Sequence, residues 1–338
     1  MKFDEVSSLN SDETSKTGLY LFFLILSIYL FTGQGSVQST DGRIMFYLTQ
    51  SLVEQGKLSF TEQVFSGGPA GEQYSKFGIG MSLLAVPFYI LGKFLSFLFD
   101  IESRFTTLFC VGMINVPISA LTSLLIYRFA RDRFRWSNPT AVLLSLGFAL
   151  STIAWVYSED FMSEPATTLL ILGAAYLITG PSGKSGPLVW AGALLGLAVT
   201  CRLAALVAVP GFLIYWVLVS KDPEENTETP LPGGIARLVL PVLLFLGLIF
   251  IYNYVRFQNI LDTGYEKGFQ IHFLTGLFGI LFSSGKSIFL YNPLVIPGCL
   301  ALPLFYKTLP RKFYLFSWIV LSHLLLFSFW QSWHGGLS

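Results

Sequence analysis

The sequence predicts an all-α protein, a polytopic transmembrane helix bundle of about nine spans with interfacial helices in a long first loop. Three observations predict it. Of 338 residues, 53% are hydrophobic, 16% are aromatic and only 12% are charged, with a mean hydropathy of +0.63, which is more apolar than a soluble domain. The apolar residues fall in runs long enough to cross about 30 Å of hydrocarbon at about 1.5 Å per residue. Lys and Arg crowd a few short links between those runs. The net charge of +1 gives no clustered basic face for nucleic acid. Cys110, Cys201 and Cys299 lie in apolar stretches with no CxxC pair, so neither a disulfide framework nor a zinc site is expected.

Residues 1–17 are polar and mixed in sign and read as a cytoplasmic tail; residues 18–338 form the membrane domain. No small-residue cleavage site follows the first apolar run, so it reads as a retained anchor. The windows fall at 18–34, 77–99, 105–129, 138–157, 164–180, 187–219, 237–254, 287–306 and 313–330. The window at 187–219 is too long for one helix and is interrupted at Cys201 and Arg202, so it predicts two short helices in a hairpin. Gly192 and Gly196 in "GALLG" form a GxxxG pattern that predicts close helix packing.

Arg128, Arg131, Arg133 and Arg135 in "YRFARDRFRW" set the orientation, because short loops rich in Lys and Arg stay cytoplasmic. Lys307, Arg311 and Lys312 in "YKTLPRKF" fall on the same side. With Met1 inside, one window must fail to cross. Phe77–Phe99, with Gly78, Gly80, Pro87, Gly92 and Lys93, is expected to lie at the outer interface or to re-enter. Residues 34–105 then form an outer loop with two interfacial helices, and the links around 157–165, Arg202 and 255–286 share that face.

Several residues on that face suggest chemistry. Asp41 opens an amphipathic run (Ile44, Leu48, Leu52) that ends at Gly56, a plausible residue just past a helix end. The plainer reading is that Thr40 or Asp41 is an N-cap. Glu159, Asp160 and Glu164 are three acids in six residues between apolar runs, expensive in a membrane unless they face a wet cavity; helix N-termini also favour acids. Lys76, Arg256, Lys267 and Lys286 are cations on the same face, and a single snorkelling cation means little. Arg202, between two apolar arms, needs a partner or an anion. "SSGKS" and "PSGKSG" resemble phosphate loops but have Ile280 and Ile178 where a Walker motif needs glycine. His272, His323 and His334 show no ligand spacing, and His323 reads as a core histidine.

At four places the chain resembles the lipid-carrier-dependent integral-membrane glycosyltransferases of the GT-C fold, the superfamily of protein O-mannosyltransferases and lipid A aminoarabinose transferases. Asp41 opens an interfacial helix closed by Gly56. "YSKFGIG", with Tyr74 and Lys76, begins a second one. Glu164 and Pro165 start a later span, and "GLAVTCR" ends at Arg202. "FSSGKSIFLYNP", with Lys286, and "WHGG", with His334, also resemble bacterial members. The chain stops at Ser338, sooner than members usually do, which reads as a fragment or a short variant. Gly42 stands where relatives often have a second acid, so no metal site built on paired acids is expected.

The resemblance implies sugar transfer from a polyprenyl-phosphate donor to a hydroxyl or amine at the outer face, with no cofactor beyond that lipid-linked substrate. It implies Asp41 as general base and Glu164 as a second catalytic group that orients Asp41 or binds sugar hydroxyls, with Asp160 or Glu159 able to substitute. Lys76 is the first candidate for the carrier phosphate, followed by Arg202 and Arg256; Tyr74, Lys286 and His334 are expected at the substrate. The acceptor is a lipid, glycan or protein, and the expected location is a bacterial inner membrane with the site on its periplasmic side. A secondary transporter or lipid flippase is the alternative, although no internal repeat is visible; a non-catalytic relative is another.

Overall fold

The computed structural model describes residues 2–62, 72–180, 186–223, 229–265, 268–269 and 271–331, with the backbone alone for residues 2–13. The described residues are almost entirely helical, with one two-stranded antiparallel ribbon that pairs β1 (Ser59–Phe60) with β2 (Gln73–Tyr74). Five helices are long and apolar enough to cross a membrane: Thr14–Thr32, Ile79–Phe99, Ser103–Arg133, Leu203–Ser220 and Leu231–Phe257. Shorter apolar helices fill the remainder.

The bundle has two chemically different ends. Helix α1 (Lys2–Thr32) runs antiparallel to α5 (Asn115–Arg128). At one end the Tyr127 hydroxyl donates to the Thr14 carbonyl at 3.2 Å and Arg131 donates to the Thr14 hydroxyl at 3.2 Å. At the other end Gly33 packs on Met113, and Gly112, the last residue of α4 (Ser103–Gly112), packs on Ser36. A π-helical turn, Phe129–Arg133, ends this antiparallel run. Lys312 joins it by donating to the Arg133 carbonyl at 2.7 Å, and nearby Arg311 pairs with Asp222. The cations of "YRFARDRFRW" and "YKTLPRKF" therefore share one end of the bundle.

Asp41, Asp160 and Glu164 gather at the opposite end. There the chain leaves α1, enters α2 (Thr40–Glu54), passes through the ribbon and begins α3 (Ile79–Phe99). Helix α3 runs through Pro87 with no break at its glycines. Its glycines serve close approach instead: Cβ atoms at Gly78 and Gly80 would stand 2.1 and 2.4 Å from Thr200 atoms, and one at Gly92 would stand 2.6 Å from Thr107. The first contact lies at the end of α9 (Gly186–Cys201), and the second lies five residues before Gly112, about 8 Å at helical rise. Both contacts of α3 thus lie near the acidic end.

Helix α6 (Asn138–Ser151) and the short α7 (Ala154–Ser158) lead to α8 (Ser163–Ile178). The long window resolves as predicted into α9, a single extended residue at Arg202, a 3-10 turn at Leu203–Ala208 and α10 (Val209–Ser220). The break falls at Arg202 because a charged residue leaves an apolar helix where it can reach water or a partner. Gly192 and Gly196 let α9 approach α11 (Leu231–Phe257): Gly192 meets the Leu238 backbone and Gly196 the Phe245 ring. The remaining helices are α12 (Phe273–Phe282), α13 (Ile288–Tyr291), α14 (Val295–Thr308) and α15 (Pro310–Ser328). A Cβ on Gly276 would meet the Ser328 carbonyl at 2.0 Å, so α12 lies tightly against the end of α15.

Candidate functional site

Helix α2 begins at Ser39, an extended residue whose hydroxyl accepts from the Gly42 N–H at 3.0 Å. The cap is therefore neither Thr40 nor Asp41. Ser, Thr and Asp in succession all cap well, and Ser39 takes the position because it holds the extended conformation. Asp41 is released to the first turn, where a negative charge meets the positive end of the helix dipole. The far end of α2 follows the pattern: Gly56 has φ +66°, the left-handed conformation that glycine tolerates.

Gly42 is explained by packing. A Cβ there would stand 2.7 Å from the Phe161 carbonyl oxygen and 2.8 Å from Ser39 Oγ. A second acid at this position would force the loop before α8 away from α2. Among the described residues no group of three or more His, Cys, Asp and Glu is arranged to hold a metal ion.

The Asp41 carboxylate is partly buried and makes no hydrogen bond or ion pair among the described residues. Burial pushes its pKa above the usual carboxylate value. Lys76 and Arg202 oppose that shift by attraction, and Glu164 and Asp160 add to it by repulsion. Lys76, Glu164, Arg202 and Asp160 thus come within electrostatic reach of Asp41, although all lie far from it in sequence.

Arg202 forms an ion pair with Glu164, the second residue of α8. Its guanidinium also stands 5.5 Å from the Phe327 ring, so the end of α15 covers it. Lys76 lies near the rings of Phe77 and Tyr265, at 5.2 and 5.7 Å. Lys76, Ser163, Arg202, Asn253, Arg256 and Tyr265 are among the walls of a cavity of ≈ 50 Å³, room for a few waters.

Arg256 is 2% exposed, and its guanidinium is committed to neutral partners. It donates to the Ser75 carbonyl and, at 2.5 Å, to Asn253 Oδ1, and lies 3.7 Å from the Tyr252 ring centre. It therefore ties the end of α11 to the backbone just before Lys76. Asp160 is committed as well, since its carboxylate accepts from the N–H groups of Gln38, Ser39 and Phe161.

Asp41, Asp160 and Glu164 are not among the lining residues of the cavity, and neither are Tyr74, Glu159 and Lys286. Tyr74 donates to Glu72 at 2.7 Å, and Lys286 sits in the turn between α12 and α13. Glu159 ends α7. Lys267 and His334 lie outside the described residues. His323 meets the carbonyl of Ile319 in its own helix at 2.8 Å and is half-buried.

Tyr265 is the residue that the sequence reading missed. It lines the cavity and packs edge-on against Trp330 at 5.3 Å. It sits in a glycine-bearing loop with no periodicity to mark it.

Residues 94–249, a little under half of the chain, match a family model described as dolichyl-phosphate-mannose-protein mannosyltransferase. The matched segment carries Glu159, Asp160, Glu164 and Arg202, but not Asp41, Lys76 or Arg256. It bears out the resemblance to the GT-C glycosyltransferases. No curated protein matches this chain. Among solved structures, the archaeal oligosaccharyltransferase AglB from Archaeoglobus fulgidus, in complex with an inhibitory peptide and a dolichol-phosphate, aligns with a TM-score of 0.43 and 12% identity. The alignment covers 90% of this chain and 38% of the archaeal one.

Proposed function

We propose that this chain, similar over residues 94–249 to dolichyl-phosphate-mannose-protein mannosyltransferases, transfers a sugar from a polyprenyl-phosphate carrier to an acceptor hydroxyl at the outer face of its membrane. The observation that carries the reading is Asp41: a carboxylate with a raised pKa and no partner among the described residues, facing two cations.

Transfer makes a bond from the acceptor oxygen to the anomeric carbon and breaks the bond from that carbon to the carrier phosphate. Negative charge grows on the departing phosphate, and fixed cations stabilise it. Lys76 and Arg202 take that role. The acceptor proton passes to the Asp41 carboxylate, whose raised pKa makes it a stronger base than a free aspartate. Glu164 holds the Arg202 guanidinium in place, and Arg256 positions Lys76 through the Ser75 carbonyl. The protein is an integral membrane protein. Its basic end lies in the cytoplasm by the positive-inside rule, so the Asp41 end faces outward, with α3 along the outer surface and the prenyl tail in lipid. A protein acceptor fits the family description best.

Reconstitution of the protein with a polyprenyl-phosphate sugar tests this. Wild type should transfer sugar and release carrier phosphate, and Asp41→Asn should reduce turnover by about 100-fold or more, the scale of general-base catalysis. Equal turnover in Asp41→Asn would remove the base assignment. Movement of the donor across the bilayer with no bond cleavage would replace the reading with a flippase.

A further inference from the structure

We infer that Asp160 is a positioning residue: it clamps the start of α2, and so aims Asp41 toward the residues on α8. The inference rests on the reading of Asp41 as the base.

The Asp160 carboxylate accepts three backbone N–H groups. Oδ1 takes those of Gln38 at 3.1 Å and Phe161 at 2.7 Å, and Oδ2 takes that of Ser39 at 2.9 Å. A carboxylate has about four acceptor positions, so little capacity is left for a sugar. Two of the three donors stand immediately before α2, more than 120 residues away in sequence. The negative charge also lies at the positive end of that helix.

The loop that carries Asp160 is itself fixed. Asn115, fully buried at the start of α5, donates through Nδ2 to the Asp160 carbonyl at 2.7 Å and to the Met162 carbonyl at 2.8 Å. Gly42 completes the fit, because only glycine lets α2 come this close to the Phe161 carbonyl. The clamp thus sits two and three residues before Asp41 on one side and four residues before Glu164 on the other. It sets the distance between the base and the Glu164–Arg202 pair.

Asp160→Asn replaces one oxygen with an NH₂ group, which cannot accept, and releases at least one N–H. Asp160→Glu keeps both oxygens on a longer arm. The experiment uses full-length protein in lipid nanodiscs. It compares kcat and donor KM across wild type, Asp160→Asn, Asp160→Glu and Asp41→Asn, and reads hydrogen exchange of the amides at residues 37–43 in each.

The expected result for Asp160→Asn is a kcat lower by about 100-fold, the scale of a misplaced catalytic group, with donor KM within about twofold. Exchange at Gln38 and Ser39 speeds up. Asp160→Glu restores part of both, and Asp41→Asn exchanges like wild type. A donor KM raised about tenfold at unchanged kcat would make Asp160 a substrate ligand instead, and unaltered exchange at Gln38 and Ser39 would also overturn the clamp. If the wild-type protein transfers no sugar, the exchange measurement still decides the clamp, while the base reading fails separately.

Discussion

Asp41 shows how one side chain is set against its own fold. Burial and the nearby Glu164 and Asp160 carboxylates favour its protonated form, and Lys76 and Arg202 only partly compensate. Its folded pKa therefore lies above the unfolded one. In the window between the two values the folded state binds more protons, so stability is highest below the unfolded pKa and falls as pH rises through the folded pKa. Asp41→Asn keeps the shape and removes the charge. At neutral pH it should raise the melting temperature, and the gain should shrink as the pH is lowered through the folded pKa of Asp41. Thermal melts of both proteins across that range measure the crossover, and equal pH dependence in the two would show that Asp41 contributes no such penalty. At this scale the sequence was informative where charge met apolar context. Arg202 stood out because it interrupts an apolar run, and it has an acid partner. Asp160 looked like a ligand because its actual partners, three backbone amides, leave no mark in side-chain identity. Tyr265 left no signal at all.

At the scale of elements, helix existence and type followed from hydropathy, while close approaches decided how helices meet. Glycine spacing made close packing of α9 legible in advance, though not that its partner is α11, since GxxxG on an apolar helix has few other uses. The glycines of α3 gave the opposite lesson. Gly78, Gly80 and Gly92 suggested a segment at the outer interface or a re-entrant one, yet each lies against another backbone, Gly78 as the cap of α3 and the other two inside the continuous helix. Sequence cannot separate a glycine that breaks a helix from one that admits a neighbour, because the distinguishing atom belongs to the neighbour. A direct consequence concerns Gly78. Its replacement by alanine places a Cβ 2.1 Å from the Thr200 carbonyl oxygen, two residues before Arg202. Gly78→Ala should destabilise the protein by about 1–3 kcal/mol, the usual range for overpacking, and should lower turnover by shifting Arg202. Denaturation in detergent and donor kinetics check both effects; a variant as stable and active as wild type would show that the contact relaxes freely.

For the whole molecule, charge placement carries the most information. Residues of "YRFARDRFRW" and "YKTLPRKF", almost two hundred positions apart, meet at one end through Lys312 and the Arg133 carbonyl, while Asp41, Asp160 and Glu164 meet at the other. The sequence implied this separation through counting of spans, and the helix contacts reproduce it independently of any count. Its test is cysteine accessibility. Arg135 is exposed at the basic turn, so Arg135→Cys, made in a Cys299→Ser background, should react with an impermeant maleimide only after the inner side is opened. Labelling from the outside in intact cells would invert the orientation and with it the placement of the site.

With the basic turn on the inner side, the membrane voltage itself acts on the fold. Carrying one elementary charge across a bilayer at 100 mV is worth about 2.3 kcal/mol. Arg128, Arg131, Arg133 and Arg135 lie within eight residues, so an energised, inside-negative membrane penalises the inverted insertion by several kcal/mol for that segment alone. In the proposed orientation an inside-negative voltage holds this segment electrically as well as chemically, and discharge of the membrane during biogenesis removes the electrical share.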